Sequence, residues 1–465
     1  MHTRQYWQRA TVALAGVALA ATLFAQPAVA QADPRSPRNV VPAVSGASAA
    51  SLQSRRDALF ARMLADPSNL DIAFEYAVLS EQAGDLEAAI STLERMLIFA
   101  PGLPRLQFEL GVLYFRLGSW ETASTYFRAV DAAPDVPADI RARVAAYLSA
   151  GATRAAGAFV TGRVTTGLRY QSNANAGPGD PTINLNGLDF TLDPAAMGRP
   201  DVNGFFAASL DGAVDLESQG DRLEYSLDAY GSLYGTQQAL NTGIVELEVG
   251  PTFNLQRFRI DNASLGLYAK AGGAMMGGAL YLATIGAGTE LTFALDAQSR
   301  VVLVGEAQYL RYFDSALRPT ASLRTGMHFS GEARFEHRVN PAVMLFAKAV
   351  ADRRFATTGY HTNWQVGAEA GAVFFFASPI AALDAPWSIG LSGGVKHLVA
   401  DAPDPVFSAT DPERTNLVFV QASLKVPLPQ AVTFEASASW TQSMSNYGFG
   451  NYTNAAALVA LSKGF

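Results

Sequence analysis

The sequence predicts a two-domain chain, a short helical solenoid followed by a transmembrane antiparallel β-barrel of about fourteen strands. Three observations predict it. Long period-two segments fill the chain from Phe159 to Phe465, small residues and prolines recur at a helical-repeat period before them, and an export leader precedes both.

The period-two rule is plainest at Asp221–Gly235. Leu223, Tyr225, Leu227, Ala229, Gly231 and Leu233 share one parity; Arg222, Glu224, Ser226, Asp228 and Ser232 share the other. Successive strand side chains point to opposite faces, so one face is apolar and the other wet. The pattern returns at Met327, Phe329, Ala333, Phe335 and Val339 against His328, Ser330, Glu332, Arg334, Glu336 and Arg338. It returns again at Val432, Phe434, Ala436, Ala438 and Trp440 against Thr433, Glu435, Ser437, Ser439 and Thr441. A soluble sandwich alternates too. Segments of roughly ten to fifteen residues, against the usual five or six, favour tilted membrane spans.

Composition agrees. Charged residues make up only 16% of the chain, and no apolar run after the leader reaches the roughly 18–20 residues a membrane helix needs. The formal net charge of −7, with no basic stripe, argues against nucleic acid as a partner. Cysteine is absent, which excludes a disulfide scaffold, a thiolate zinc site and an acylated lipoprotein terminus.

Residues 1–30 have the layout of a signal peptide. Arg4 and Arg9 form the positive region, Thr11–Phe24 the apolar core, and Ala28-Val29-Ala30 a small-x-small cleavage site. The apolar core is too short for a comfortable membrane anchor. Residues 31–50, with Pro34, Pro37 and Pro42, are expected to form a flexible linker.

From about Leu52 to Leu148 the period becomes helical. Pro67, Pro101 and Pro134 are spaced by 34 and 33 residues, and Gly84/Gly118 and Ala89/Ala123 each by 34. This is the period of tetratricopeptide helix pairs. Gly111, Tyr114, Gly118, Ala123 and Phe127 in one copy, and Ala77, Gly84, Ala89 and Leu93 in the other, take the positions where two helices meet. Small residues permit close approach, Phe127 fills the remaining space, and the proline ends the second helix. A repeat domain over 51–150 follows, with a helical spacer and a short peptide-binding groove both open as its role.

The strand segments are expected at 158–172, 205–217, 221–235, 242–256, 263–276, 281–295, 299–313, 326–339, 343–355, 361–376, 387–399, 415–427, 432–444 and 453–465, which places the barrel over 158–465. Ala150–Gly157 precedes them as a hinge. Connections mostly alternate between tight (Ser218–Gly220, Arg257–Asn262, Asn340–Ala342, Pro427–Ala431) and long (Asn173–Gly204, Ser315–Thr325, Ala400–Arg414, Ser445–Thr453), with Ser378–Pro386 long for a turn and Gly277–Leu280 short for a loop. Short turns belong to the periplasmic rim and long loops to the outside, which puts the helices and Phe465 on the periplasmic side. Arg222, Arg311, Arg334, Arg338, Lys348 and Lys425 are expected on the lumen face opposite Glu224, Asp228, Glu332, Glu336 and Glu435.

No chemistry is evident. His328, His337, His361 and His397 are scattered, and Ser330 beside His328 has no nucleophile elbow, so no catalytic residue and no enzyme is expected. Gly272-Gly273 and Gly277-Gly278 precede no helix, so they mark a strand end and its turn rather than a phosphate loop. Asp180, Asp201, Asp401, Asp404 and Asp411 lack EF-hand spacing. No metal and no cofactor is expected.

The segment Tyr170–Pro178 resembles the Asp-Ser-Asn-x-Asn-x-Ala-Pro pattern at the first barrel strand of the surface lipoprotein assembly modulator (Slam) family. It matches at Ser172, Asn173, Asn175 and Pro178, while Gln171 stands for the acid and Gly177 for the alanine. The order of leader, tetratricopeptide helices and barrel resembles that family as well. The terminal Phe465, with Leu461, Val459 and Ala457 on its parity, resembles the recognition signal of the barrel assembly machinery. The resemblance implies a monomeric outer-membrane translocator of a Gram-negative envelope, touching membrane lipids and carrying protein or lipoprotein cargo to the surface. An alternative is an exopolysaccharide exporter, which also joins tetratricopeptide helices to a barrel but carries many more repeats.

Overall fold

A computed structural model of the chain describes residues 46–465 apart from 67–68, 84, 118, 135, 138–139, 142, 149–157, 195, 217, 219, 259, 261, 297, 381 and 384. The predicted leader, most of the linker, the 150–157 hinge, Gly84 and Gly118 therefore lie outside the described residues. The chain divides into two compact units.

Five helices form the first unit: α1 (Gly46–Ala65), α2 (Leu70–Gln82), α3 (Leu86–Phe99), α4 (Pro104–Arg116) and α5 (Trp120–Asp131), with residues 143–148 helical beyond them. Helix α1 starts inside the stretch expected as linker, because Ala47, Ala49 and Ala50 are good helix formers with no proline among them. The starts are chemically marked. The Asn69 side chain accepts from the Ile72 amide, Asp85 accepts from the Ala88 amide, and Pro104 opens α4 where its missing N–H costs nothing. Two apolar clusters hold the stack together. One joins Ala73, Ala77, Ala89, Leu93, Leu106 and Leu110; the other joins Phe108, Phe115, Ala123, Phe127, Val144 and Tyr147.

Fourteen strands form the second unit: β1 (Ala158–Gln171), β4 (Asp201–Asp215), β5 (Arg222–Tyr234), β6 (Thr242–Asn254), β7 (Ala263–Met276), β8 (Ala279–Ala294), β9 (Ser299–Tyr312), β10 (Gly326–Asn340), β11 (Val343–Arg354), β12 (Asn363–Phe376), β13 (Trp387–Ala400), β14 (Arg414–Leu428), β15 (Val432–Ser445) and β16 (Tyr452–Gly464). Each pairs antiparallel with its neighbour in sequence, and β1 pairs with β16, so the barrel is closed and no edge is left open. The Phe465 amide donates to Gly162 O at 3.0 Å and the Gly162 amide to Phe465 O at 2.9 Å, which extends the closing ladder to the last residue.

The two parities separate as alternation demands. On β5, Leu227 and Leu233 are exposed while Ser226, Asp228 and Ser232 are buried. Exposed Val245, Leu247, Leu267, Ile285, Leu303, Leu345, Val395, Val420 and Val459 continue the apolar exterior around the strands. No described helix is long and apolar enough to cross a membrane, and the strands carry the apolar belt instead.

Three features depart from the sequence reading. Strand β4 begins at Asp201, four residues early, and the loop before it holds a hairpin of β2 (Thr182–Leu185) and β3 (Leu188–Thr191). Asn186 and Gly187 both have positive φ, the requirement of a two-residue type I′ turn. Arg311 does not face the lumen: Leu310 and Tyr312 are buried and Arg311 is exposed on the exterior parity. In β9 Val301, Val302, Leu303 and Val304 are apolar on both parities, so the pattern there does not fix which is which. Finally, part of the interior is apolar, with Met276, Tyr281, Leu282, Leu310 and Tyr312 packed with Ala321 from the β9–β10 loop.

Candidate functional site

Two parts of the barrel carry polar organisation beyond what strand pairing needs. The first is where β1 leaves the ladder. Ser172 still pairs with β16, its amide donating to Ala455 O and its hydroxyl accepting from the Ala455 amide, each at 2.8 Å. The Asn173 amide donates to Asn454 Oδ1 at 3.0 Å. The Asn173 side chain closes a five-residue loop on itself, donating to Gly177 O at 2.8 Å and accepting from the Gly177 amide at 3.0 Å. Asn175 ties the far end of the loop: its side chain donates to Met197 O and accepts from the Arg199 amide, both at 2.8 Å. The chain turns at Ala176, whose φ is +55°, and the Gly198 amide donates to Pro178 O. A Cβ on Gly198 would stand 2.7 Å from Asn173 Nδ2, so glycine is what lets the two stretches close.

The knot continues inward. Gln171 Nε2 donates to the Tyr234 hydroxyl at 3.2 Å, and Arg169 lies 5.4 Å over the Phe205 ring. Gln171 is fully buried, and Asn454 donates to its Oε1. An ionised acid here would have no hydrogen to offer the Tyr234 hydroxyl, whereas the amide both donates and accepts. Asn454 and Tyr234 escaped the sequence reading because they lie on other strands, with no local signal linking them to Asn173.

Further out, the long loops lock onto one another. The Asn186 amide donates to Phe407 O, and Phe407 stacks on Tyr447 at 5.0 Å. The Tyr447 hydroxyl accepts from the Asp404 amide and donates to Asp411 O. The loop acids are spent locally: Asp180 accepts from the Thr182 amide, Asp201 from the amides of Thr236 and Gln237, and Asp401 from Arg353.

The second organised part is the lumen wall. On β4–β9 the inward parity carries Asp211, Asp228, Glu246, Glu248, Glu290 and Glu306, with Lys270 on β7 against three of them. Lys270 Nζ lies 2.8 Å from Glu246, 3.2 Å from Glu248 and 3.7 Å from Glu306, and the Tyr268 hydroxyl donates to Glu306 at 2.7 Å. Lys270 was missed because Ala269 and Ala271 beside it give no strong alternation. Elsewhere on the wall opposite charges meet in pairs: Lys348 with Glu369 at 2.8 Å, Arg300 with Glu336 at 2.6 Å, Arg334 with Glu332, and Lys425 with Glu435 at 3.9 Å. The histidines do not converge. His328 contacts Asp352 at 3.3 Å, His337 meets Ser299 at 3.0 Å and His397 meets Asn416 at 2.8 Å, while burial pushes His361 down to about 4.

In the helical unit Ala89 and Ala123 are fully buried, Phe127 is 1% exposed, and a Cβ on Gly111 would stand 2.7 Å from Phe127 Cε1. Phe127 stacks on Tyr147 at 4.7 Å and meets Phe108 edge-on at 6.0 Å.

No family model matches the chain, and no curated protein matches it. Among solved structures, the Yersinia enterocolitica type III secretion chaperone SycD, in complex with a peptide of the translocator YopD, aligns at 14% identity and a TM-score of 0.21, over 23% of this chain and 83% of that one. A bacterial polysaccharide outer-membrane secretin aligns at 8% identity and a TM-score of 0.35, over 65% of this chain and 98% of that one. An anion-selective porin from Comamonas acidovorans aligns at 9% identity and a TM-score of 0.33, over 66% and 99%. These are faint likenesses of architecture, and none bears on what this chain carries.

Proposed function

We propose that the chain is an outer-membrane translocator that moves particular protein or lipoprotein cargo from the periplasm to the cell surface. In this reading the helical repeats face the periplasm and engage the cargo, and the barrel gives it passage. The observation that carries it is the pairing, in one chain, of a short two-pair helical module with a fourteen-strand barrel whose first strand ends in the Ser172/Asn173/Asn175 knot. A module this small offers a short groove to a polypeptide rather than a long scaffold along a polymer. A lumen lined by both signs of charge suits a polar chain in transit. Phe465 at the closing ladder suits delivery by the barrel assembly machinery, and the closed ladder leaves no edge for self-association, which fits a monomer.

The test compares surface-exposed and secreted proteins in strains with and without the gene. One or a few specific proteins stranded in the periplasm, with bulk polysaccharide normal, is the expected result. An unchanged protein profile with exopolysaccharide lost would replace this reading by the exporter. Fractionation with mass spectrometry should also find the mature protein in the outer membrane without Met1–Ala30.

A further inference from the structure

The exterior of the barrel has a charge pattern that neither pairing nor passage explains. Among the described barrel strands, the outward parity carries no Asp or Glu. Its cations are four. Three are arginines at the long-loop end: Arg311 next to last in β9, Arg353 next to last in β11 and Arg414 first in β14. Lys463 alone lies at the opposite end, on β16. The outward parity of β1 and β4–β8 has no cation at all. The arginines therefore form one patch on one side of the barrel, at one rim.

Arg353 and Arg414 share one row, which meets β9 at Ala307; Arg311 stands on β9 four residues nearer the long-loop end. Arg353 pairs across the sheet with Trp364, Trp364 with Val399, and Val399 with Arg414. One row nearer the barrel's middle, His397 pairs with Asn416 and faces out beside it. Three strand spacings put Arg353 and Arg414 about 14 Å apart in backbone terms. The guanidiniums are held over aromatic rings, Arg353 at 4.6 Å from Phe355 and 5.1 Å from Trp364, and Arg311 at 5.1 Å from Phe313. Asp401, just past β13, grips Arg353 through both carboxylate oxygens at 2.6 and 2.5 Å. That grip uses two of the five donors of the fork and fixes its plane.

Exposed Tyr309, Phe329 and Trp364 stand on the outward parity within four residues of the long-loop ends of their strands, which marks the level where hydrocarbon gives way to headgroups. A guanidinium at that depth needs an anion; Asp401 answers Arg353 from the loop, while the outward parity around Arg311 and Arg414 supplies no carboxylate. We propose that the outward surface of β9–β14 at the long-loop end binds the phosphorylated headgroup of a membrane lipid, with Arg311, Arg353 and Arg414 as its phosphate contacts. Arginine suits this role because its planar fork meets phosphate oxygens in pairs and stays charged beside apolar surface, where an ammonium ion would call for water. The separation of the arginines favours a headgroup with more than one phosphate.

The test uses the full-length protein folded in detergent and lipid A as probe, with its two phosphates or enzymatically dephosphorylated, read by native mass spectrometry and by the heat-modifiability transition on gels. Retention of the diphosphorylated lipid, with affinity falling about tenfold or more on dephosphorylation, is expected. The double variant Arg311→Gln/Arg414→Gln keeps the Arg353–Asp401 grip and should fold as a heat-modifiable barrel while losing at least the same factor. Lys463→Gln, at the other rim, should bind as the parent does. Equal binding of dephosphorylated lipid, full binding by the folded double variant, or displacement of the lipid by inorganic phosphate alone would each overturn the proposal.

Discussion

The helical unit and the barrel use the same residue types to face opposite directions. Phe127 is 1% exposed and is ringed by Phe108, Phe115 and Tyr147, so the helices bury apolar surface inward against each other. Leu227 is 41% exposed and Val245 53%, yet both belong to strands whose inward parity holds Asp228 and Glu246. A strand in water would hide its leucines; here the apolar parity is turned out and the carboxylates in. The difference teaches that burial alone does not identify a core. In the helices an exposed leucine is incidental; in the barrel it is the rule, because hydrocarbon is the solvent it meets.

The strongest way to test the inward core is to empty it. Phe127→Ala should cost the helical unit about 3–5 kcal/mol, from lost ring burial and the cavity left beside Gly111. Helical circular dichroism follows this unit selectively, since the barrel contributes only short 3-10 turns. The expected outcome is an early loss of helical signal with the heat-modifiability of the barrel unchanged. A melt like that of the parent would mean that Phe127 is not the keystone its contacts indicate.

The outward core is tested by charge. Leu227→Arg should destabilise the barrel by roughly 2–4 kcal/mol if the position lies near the bilayer midplane. Ser226→Arg places the same group on the inward parity, beside Asp228 and its neighbouring carboxylates, and should be far milder. Refolding yield into lipid vesicles against denaturant separates them. Equal effects from adjacent residues would break the assignment of the two faces.

These two regions were legible to different degrees, for physical reasons. The strands declared themselves because a membrane span forces ten or more residues into strict alternation. Where both parities are apolar, as at Val301–Val304, the rule loses its sign and Arg311 was placed on the wrong face. The β2–β3 hairpin is four residues a side, too short for alternation to show, although its Asn186-Gly187 turn was there to be read. In the helices, the 34-residue period located Ala89, Gly111, Ala123 and Phe127, because a fixed period repeats the same contact. The knot at Asn173 was half visible. Its asparagines favour turns by themselves, but Asn454 reaches Asn173 only through barrel closure, a pairing across 281 residues that no local pattern encodes, and Met197 reaches Asn175 only because the long loop folds back.

The smallest expected effect sharpens the comparison at the helices' polar surface, where water rather than hydrocarbon or core decides the energies. The Tyr114 hydroxyl donates to Glu94 Oε1 at 2.6 Å, and Tyr114 stacks on Tyr126 at 5.6 Å, whose hydroxyl donates more weakly to the same oxygen at 3.4 Å. The hydrogen bond to Glu94, with burial second, pushes Tyr114 up to about 12. The folded state thus holds the phenol proton more tightly than the unfolded chain, where tyrosine ionises near 10. The stabilisation is fully present below about pH 10 and is lost as pH rises through about 12. Because the pair is exposed, Tyr114→Phe should cost only about 0.5–1 kcal/mol at neutral pH. Its sharper signature is the shape of the curve: parent stability should fall more steeply than that of the variant through the alkaline window, and Glu94→Gln should flatten the parent's slope in the same way. Denaturant unfolding followed by helical circular dichroism across that window measures it, and parallel slopes for parent and Tyr114→Phe would remove Glu94 as the proton's keeper.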